Sequence, residues 1–200
     1  MSSKGIRKVS RGNGRISENP NIVMRVLFIL FCVFFYANTQ AQTGQEFPVL
    51  IGQTVNGDVI DLPEAVQEKY TLVGIAYSKK SQEQFESWVN PVYNKFIAKT
   101  GMMDDLYDIN TYFIVLFTGA KKSAMDGVMK RMKAKSDENI FPYVLFYKGD
   151  IEIYQQKLKL DDKCKAYVFL LNEQGQIVYS GSGIHTKKKM LEIEKLILDD

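Results

Sequence analysis

This 200-residue chain carries two cysteines and one histidine. Cys32 falls in an apolar run near the N-terminus, which leaves Cys164 as the thiol to weigh. Lys163 and Lys165 flank it and would favour a thiolate, the nucleophilic form. The plainer reading is a half-buried structural cysteine, and the residues favour that one. His185 stands far from any cluster of cysteines or carboxylates in sequence, a poor basis for a metal site. No metal and no cofactor is therefore expected. A Cys164–His185 pair would require the turn at Gly183 to swing the imidazole towards residue 164. Gly181-Ser182-Gly183 precedes a helical pattern and could hold an anion on backbone N–H groups, though an ordinary turn explains it more simply. Asp104-Asp105 and Asp161-Asp162 read as solvated loop acids.

The residues that would position this chemistry begin after a distinct leader. Arg25 precedes an apolar run, Val26–Tyr36, and small residues at Thr39 and Ala41 follow. That order of charge, apolar core and small-x-small site is a secretory signal, expected to be cut after Ala41. Met24 is an alternative start. The run is short for a membrane span, which needs about 20 apolar residues, so an anchor at 26–36 is the alternative. No small residue precedes Cys32, so lipidation is not expected. Without residues 1–41 the chain has 20 basic and 22 acidic residues, a net of −2 in place of +3. The basic character thus belongs to the leader, and no nucleic-acid partner is implied. Residues 42–200 suit one domain with a single core, and one remaining cysteine cannot form an internal disulfide.

Apolar runs at 72–77, 112–117, 143–147 and 166–171 read as buried strands. Asn56-Gly57-Asp58 is hairpin chemistry between Phe47–Leu50 and Val59–Leu62. Asn172-Gln174-Gly175 is turn chemistry that folds Gln176–Ser180 back as an antiparallel strand. Apolar steps of three and four predict helices over 81–98, 123–135 and 186–198, with a short one near 151–158. Pro91 should kink or interrupt the first, and Ser123 could cap the second. Trp88 and the stripe Met125, Val128, Met129, Met132 read as core; Lys130, Arg131, Lys133 and Lys135 read as the wet face. The alternation predicts an α/β fold, a mixed central sheet with helices on both faces and an N-terminal β-hairpin.

Several segments carry a family likeness: Phe47-Pro48-Val49-Leu50, Gly57, Leu72–Tyr77, Trp88 with Pro91, and Tyr167–Val178 ending in Gly181-Ser182-Gly183. In this order and spacing the chain resembles the thioredoxin-like superfamily, in its peroxiredoxin-like branch and the related mitochondrial ATP-synthase assembly factors. The resemblance spans 47–198 and implies a three-layer sandwich. It also implies a redox site at the turn after the strand 72–77, where a helix N-terminus activates a cysteine. Depending on the alignment, the cysteine positions fall on Ser78 and Ser81, on Lys80 and Glu83, or on Glu83 and Glu86, and none holds a cysteine. Lys79 completes that turn. The family's cis-proline would sit near Lys165-Ala166, and no proline is there, so a trans bond is expected.

The chain is thus expected to be an exported, redox-inactive binding or assembly module of the cell envelope, with an envelope protein as client. A membrane would be touched only through an uncut leader. The alternative is a thiol oxidoreductase or peroxidase working with Cys164 alone. A third reading is a small-ligand binder using the vacated site.

Overall fold

The computed structural model describes residues 43–199 apart from Gln67. The chain divides into two units, 1–41 and 42–200, and everything below concerns the second. The expectations for the leader, its cleavage at Ala41, the run 26–36 and Cys32 lie outside the described residues.

Seven strands form one mixed sheet: β1 (Leu50–Thr54), β2 (Val59–Leu62), β3 (Thr71–Ala76), β4 (Asn110–Phe117), β5 (Val144–Lys148), β6 (Tyr167–Leu171) and β7 (Ile177–Ser182). Their order is β2-β1-β5-β4-β3-β6-β7. β3, β4 and β5 run parallel, with Ile75 beside Ile114 and Ile114 beside Leu145. β6 lies antiparallel to β3, and β7 antiparallel to β6, with Phe169 beside Ser180. This is the predicted pairing of the last two strands. The turn between them holds because Asn172 Oδ1 accepts the N–H groups of Gln174 and Gln176 at 3.1 and 2.9 Å, while Gly175 takes φ +76°. The turn from β1 to β2 uses Gly57 at φ +107°.

Every residue of β3 is buried, as an interior strand covered on both faces must be. One face packs under α1 (Lys79–Val92), α2 (Met125–Lys135) and α4 (Lys187–Leu198), through Phe85, Trp88, Met125, Met190 and Ile193. The other face carries Phe47, Leu50, Leu62 and the short α3 (Glu152–Lys157) with Tyr154. Gly74 of β3 lets α1 come close: a Cβ there would lie 2.5 Å from the Phe85 ring.

Three expectations need correction. The first helix ends at Val92, not 98, and continues as a π-helical turn over Tyr93–Ile97. Pro91 lacks the N–H that a regular turn would use, and Ala98 N–H bonds back five residues to Tyr93 O at 2.8 Å. Ser123 does not cap the second helix. It lies inside a 3₁₀ stretch, Gly119–Ala124, with its hydroxyl on Ala120 O at 3.3 Å, and α2 begins only at Met125. Asp104 is no solvated acid. It is buried, accepts Gly101 N–H at 2.7 Å and meets Lys95 Nζ at 3.1 Å. The Gly101 N–H and then Lys95 hold its carboxyl below the usual range. Burial alone would lower the Lys95 ammonium, but Asp104 and Glu194 outweigh it and raise it.

Candidate functional site: the strand-to-helix turn and the groove beside it

The turn from β3 into α1 is closed by two serines. Ser78 Oγ accepts Ser81 N–H at 3.0 Å, and Ser81 Oγ accepts Ser78 N–H at 2.9 Å. This reciprocal cap satisfies two of the donors that a helix start leaves free. Ser81 Oγ also takes Tyr77 N–H at 3.2 Å, and Ser81 is fully buried. The Ser78 hydroxyl donates to Lys163 O, across to the loop before β6. Lys79, Lys80 and Glu83 are exposed and make no contact with that loop among the bonds described. No hydroxyl in the turn has a partnered base. Burial raises the phenols of Tyr77 and Tyr167, so both stay protonated near neutrality.

Cys164 is half-buried in the facing loop, its N–H on Asp162 Oδ1 at 2.8 Å. Asp162 also meets Lys165 Nζ at 3.8 Å and is half-exposed, while Asp161 is exposed, so both members of that acidic pair reach solvent. Ala166 is buried; its N–H reaches Gln84 Oε1 of α1 at 3.2 Å. The Lys165–Ala166 bond is trans. The structure thus brings Ser78, Ser81 and the 163–166 loop together, while Lys79, Lys80 and Glu83 stay on the outside of the turn.

His185 goes elsewhere. Its ring stands edge-on to Trp88, centroids 5.1 Å apart, and the backbone N–H of His185 donates to Ser87 Oγ at 2.9 Å. None of its described contacts involves Cys164. Nε2 is buried without a partner, and burial, then Lys189, pushes the imidazole pKa down. The Gly181-Ser182-Gly183 segment does not offer itself to an anion either. Gly183 N–H is taken by Ala166 O at 2.8 Å, and Lys189 Nζ already binds the carbonyls of Ser182 and Ile184 at 2.7 and 2.8 Å. Trp88, fully buried as expected, donates from Nε1 to Gly183 O at 2.9 Å. Among the described residues no group of three or more His, Cys, Asp or Glu could hold a metal, and no helix is long and apolar enough to cross a membrane.

The feature that sequence reasoning missed begins at the same turn. A groove of about 900 Å³ runs from Ser78 between α1 and α2. Phe113, Val115 and Phe117 of β4 and Phe146 of β5 floor it. Val89 of α1 and Tyr93 of the π-helical turn face Val128 and Met132 of α2 across it. It exists because α2 stands off the sheet. Met125 alone on that helix is buried, while Val128, Met129 and Met132 are only partly so. Of that stripe, Met125 is core as expected, while Val128 and Met132 form a groove wall. Arg131 and Lys135, expected on the wet face, line this groove, four residues apart on one stripe with Val128 and Met132. That shared stripe was the one signal in the sequence, and it looked the same as an ordinary amphipathic helix.

Several solved structures share this fold. The thiol:disulfide interchange protein from a Bacteroides species matches with a TM-score of 0.51 at 15% identity, over 78% of this chain and 90% of that one. The thio-disulfide isomerase of Thermus thermophilus matches with 0.51 at 12% identity, over 80% and 99%. The exposed lipoprotein thioredoxin of Streptococcus pneumoniae matches with 0.52 at 11% identity, over 74% and 99%. At these identities the likeness is one of fold, and the domain is thioredoxin-like. No curated protein sequence matches the chain. The profile of the ATP10 protein family matches residues 35–197, which covers all seven strands and nearly all of α4. On that match, the chain belongs to the ATP10 protein family.

Proposed function

We propose that this protein is an exported, redox-inactive thioredoxin-fold protein that acts as a binding or assembly module in the cell envelope. The observation that carries the reading is the closed turn. Where a redox relative would present a thiol, Ser78 and Ser81 spend their hydroxyls on each other's backbone and on Lys163 O. A serine hydroxyl without a base does not attack disulfides or peroxide. Export rests on the leader: Arg25, the Val26–Tyr36 run and the Thr39/Ala41 site. A role in assembly rests on the family to which the chain belongs. Its client is an envelope protein.

A second reading keeps Cys164 as the working thiol of a peroxidase or mixed-disulfide carrier. One observation favours it: the loop that holds Cys164 is bonded directly to the vacated turn, through Lys163 O. Efficient exchange needs a placed thiolate and, for release, a second thiol nearby. Among the described residues Cys164 is the one cysteine. Insulin reduction and peroxide consumption, measured on the wild type and on Cys164→Ser, separate the two. The expected result is no turnover by either. Turnover by the wild type that Cys164→Ser abolishes would replace the binding module with the thiol enzyme. Pull-down from envelope extract then identifies the client.

A further inference from the structure

The groove between α1 and α2 has the size and lining of a small-molecule site. Such sites occupy roughly 300–1,000 Å³, are mostly apolar, and carry a few polar groups that fix the ligand's orientation. Here the volume is about 900 Å³ and the floor is aromatic. The polar groups lie at the rim and are unequal in sign. Lys121, Arg131 and Lys135 line the groove, against Glu86 and Asp137.

The two acids already have donors. Glu86 Oε1 accepts from Gln82 Nε2 at 3.3 Å, and Asp137 Oδ1 accepts Asn139 N–H at 3.0 Å. The three cations have no ion pair or hydrogen bond among those described. Lys122, next to Lys121 in the chain, shows the contrast: its Nζ meets Asp150 at 2.7 Å. The other cations of α2, Lys130 and Lys133, do not line the groove. Free positive charge is therefore gathered where the apolar floor opens. A guanidinium in that position matches a carboxylate or sulfonate in geometry as well as sign.

We propose that the groove binds an amphiphilic anion: an apolar body of fatty-chain or fused-ring size over Phe113, Phe117 and Phe146, with one acidic head on Arg131 and Lys135. The apolar body supplies the affinity by leaving water, and the head sets the orientation. This gives the binding-module reading a ligand class and rests on that reading.

The test uses the full chain and 8-anilinonaphthalene-1-sulfonate, an apolar ring system with a single sulfonate. Its fluorescence should rise on saturable binding to protein that still unfolds in one cooperative step. Oleate, kept below its micellar concentration, should displace it, and oleyl alcohol should need at least tenfold more. The double variant Arg131→Glu/Lys135→Glu alters only exposed side chains and should weaken the dye at least tenfold, with the unfolding midpoint unchanged. Val128→Trp fills the groove from α2 and should remove most of the signal. Equal displacement by acid and alcohol would overturn the proposal. So would dye binding that ignores both variants, or a chain that gives no signal because a second copy fills the groove. The redox assays run on the same samples keep the two readings apart. An inactive protein without dye binding loses only the groove ligand; an active one loses the binding module itself.

Discussion

Along one flank of α1, Gln84, Ser87 and Trp88 each hold a backbone group of the segment 166–185. Along the other, Gln82, Glu86 and Asn90 face an open groove, beyond which α2 meets the core chiefly through Met125. The first flank resembles a protein interior, closely packed with its backbone groups paired, His185 Nε2 being the exception. The second leaves aromatic surface uncovered. The groove is therefore not the mark of a loosely held α1. Its α1 wall is fixed by the sheet and by Ala166, Gly183 and His185, and any adjustment to a guest falls to α2.

Breaking the pinned flank should have the largest effect. Trp88→Ala removes a fully buried side chain and its bond to Gly183 O, and large-to-small changes of this kind cost about 3–5 kcal/mol. The denaturant midpoint should drop accordingly. A loss below about 1 kcal/mol would mean the two flanks are held alike.

Gly74→Ala tests the base that both flanks share. Its methyl would meet Phe85 at 2.5 Å, and overpacking of that kind costs about 1–3 kcal/mol. Because Phe85 also lines the groove, dye fluorescence should change along with the midpoint. A midpoint shift without a change in the dye would confine the strain to the pinned side.

The pinned flank should also titrate. His185 is held near Trp88, Ser87 and Lys189, and its pKa is pushed down, first by burial and then by the Lys189 charge. The folded protein keeps the imidazole neutral, while the unfolded chain protonates it near pH 6.5. The stability it contributes is complete above about pH 6.5 and is lost as pH falls through the lower folded value. His185→Phe should flatten the stability profile as pH falls below about 6.5. An unchanged slope would show that the imidazole is as solvated in the fold as in the open chain.

On the open flank, Met132→Ala should cost well under the ~2 kcal/mol at which buried methionine truncations begin, because Met132 is only partly buried. A cost as large as that of a core methionine would show α2 to be clamped in solution.

How much of this was legible follows from range. The strands and the hairpin from Asn172 to Ser180 are written in local patterns: unbroken apolar runs, and an asparagine and glycine at fixed offsets in a turn. The absence of a cysteine from the turn after β3 was legible for the same reason, since it needs no neighbours to be seen. The burial of Asp104 was not, because its partner Lys95 sits on the π-helical turn and Glu194 comes from the last helix. Nor was the groove. Val128, Arg131, Met132 and Lys135 have the spacing of any amphipathic helix, and only the gap between two helices separates a wall from a core. The failed cap at Ser123 has a smaller cause, as the chain enters α2 through a 3₁₀ stretch that places this serine one residue before the cap position, Ala124.

The strand order also has a consequence in time. β1 pairs only with β2 and with β5, Gln53 lying beside Phe146, and Phe47 just before it packs against Phe169 of β6. A chain emerging N-terminus first thus delivers its opening hairpin long before the strands it docks on exist. Contacts so distant in sequence form late, after the local pairings. The start of the domain therefore cannot dock before β5 and β6 are in place, and until then it stays available to other molecules.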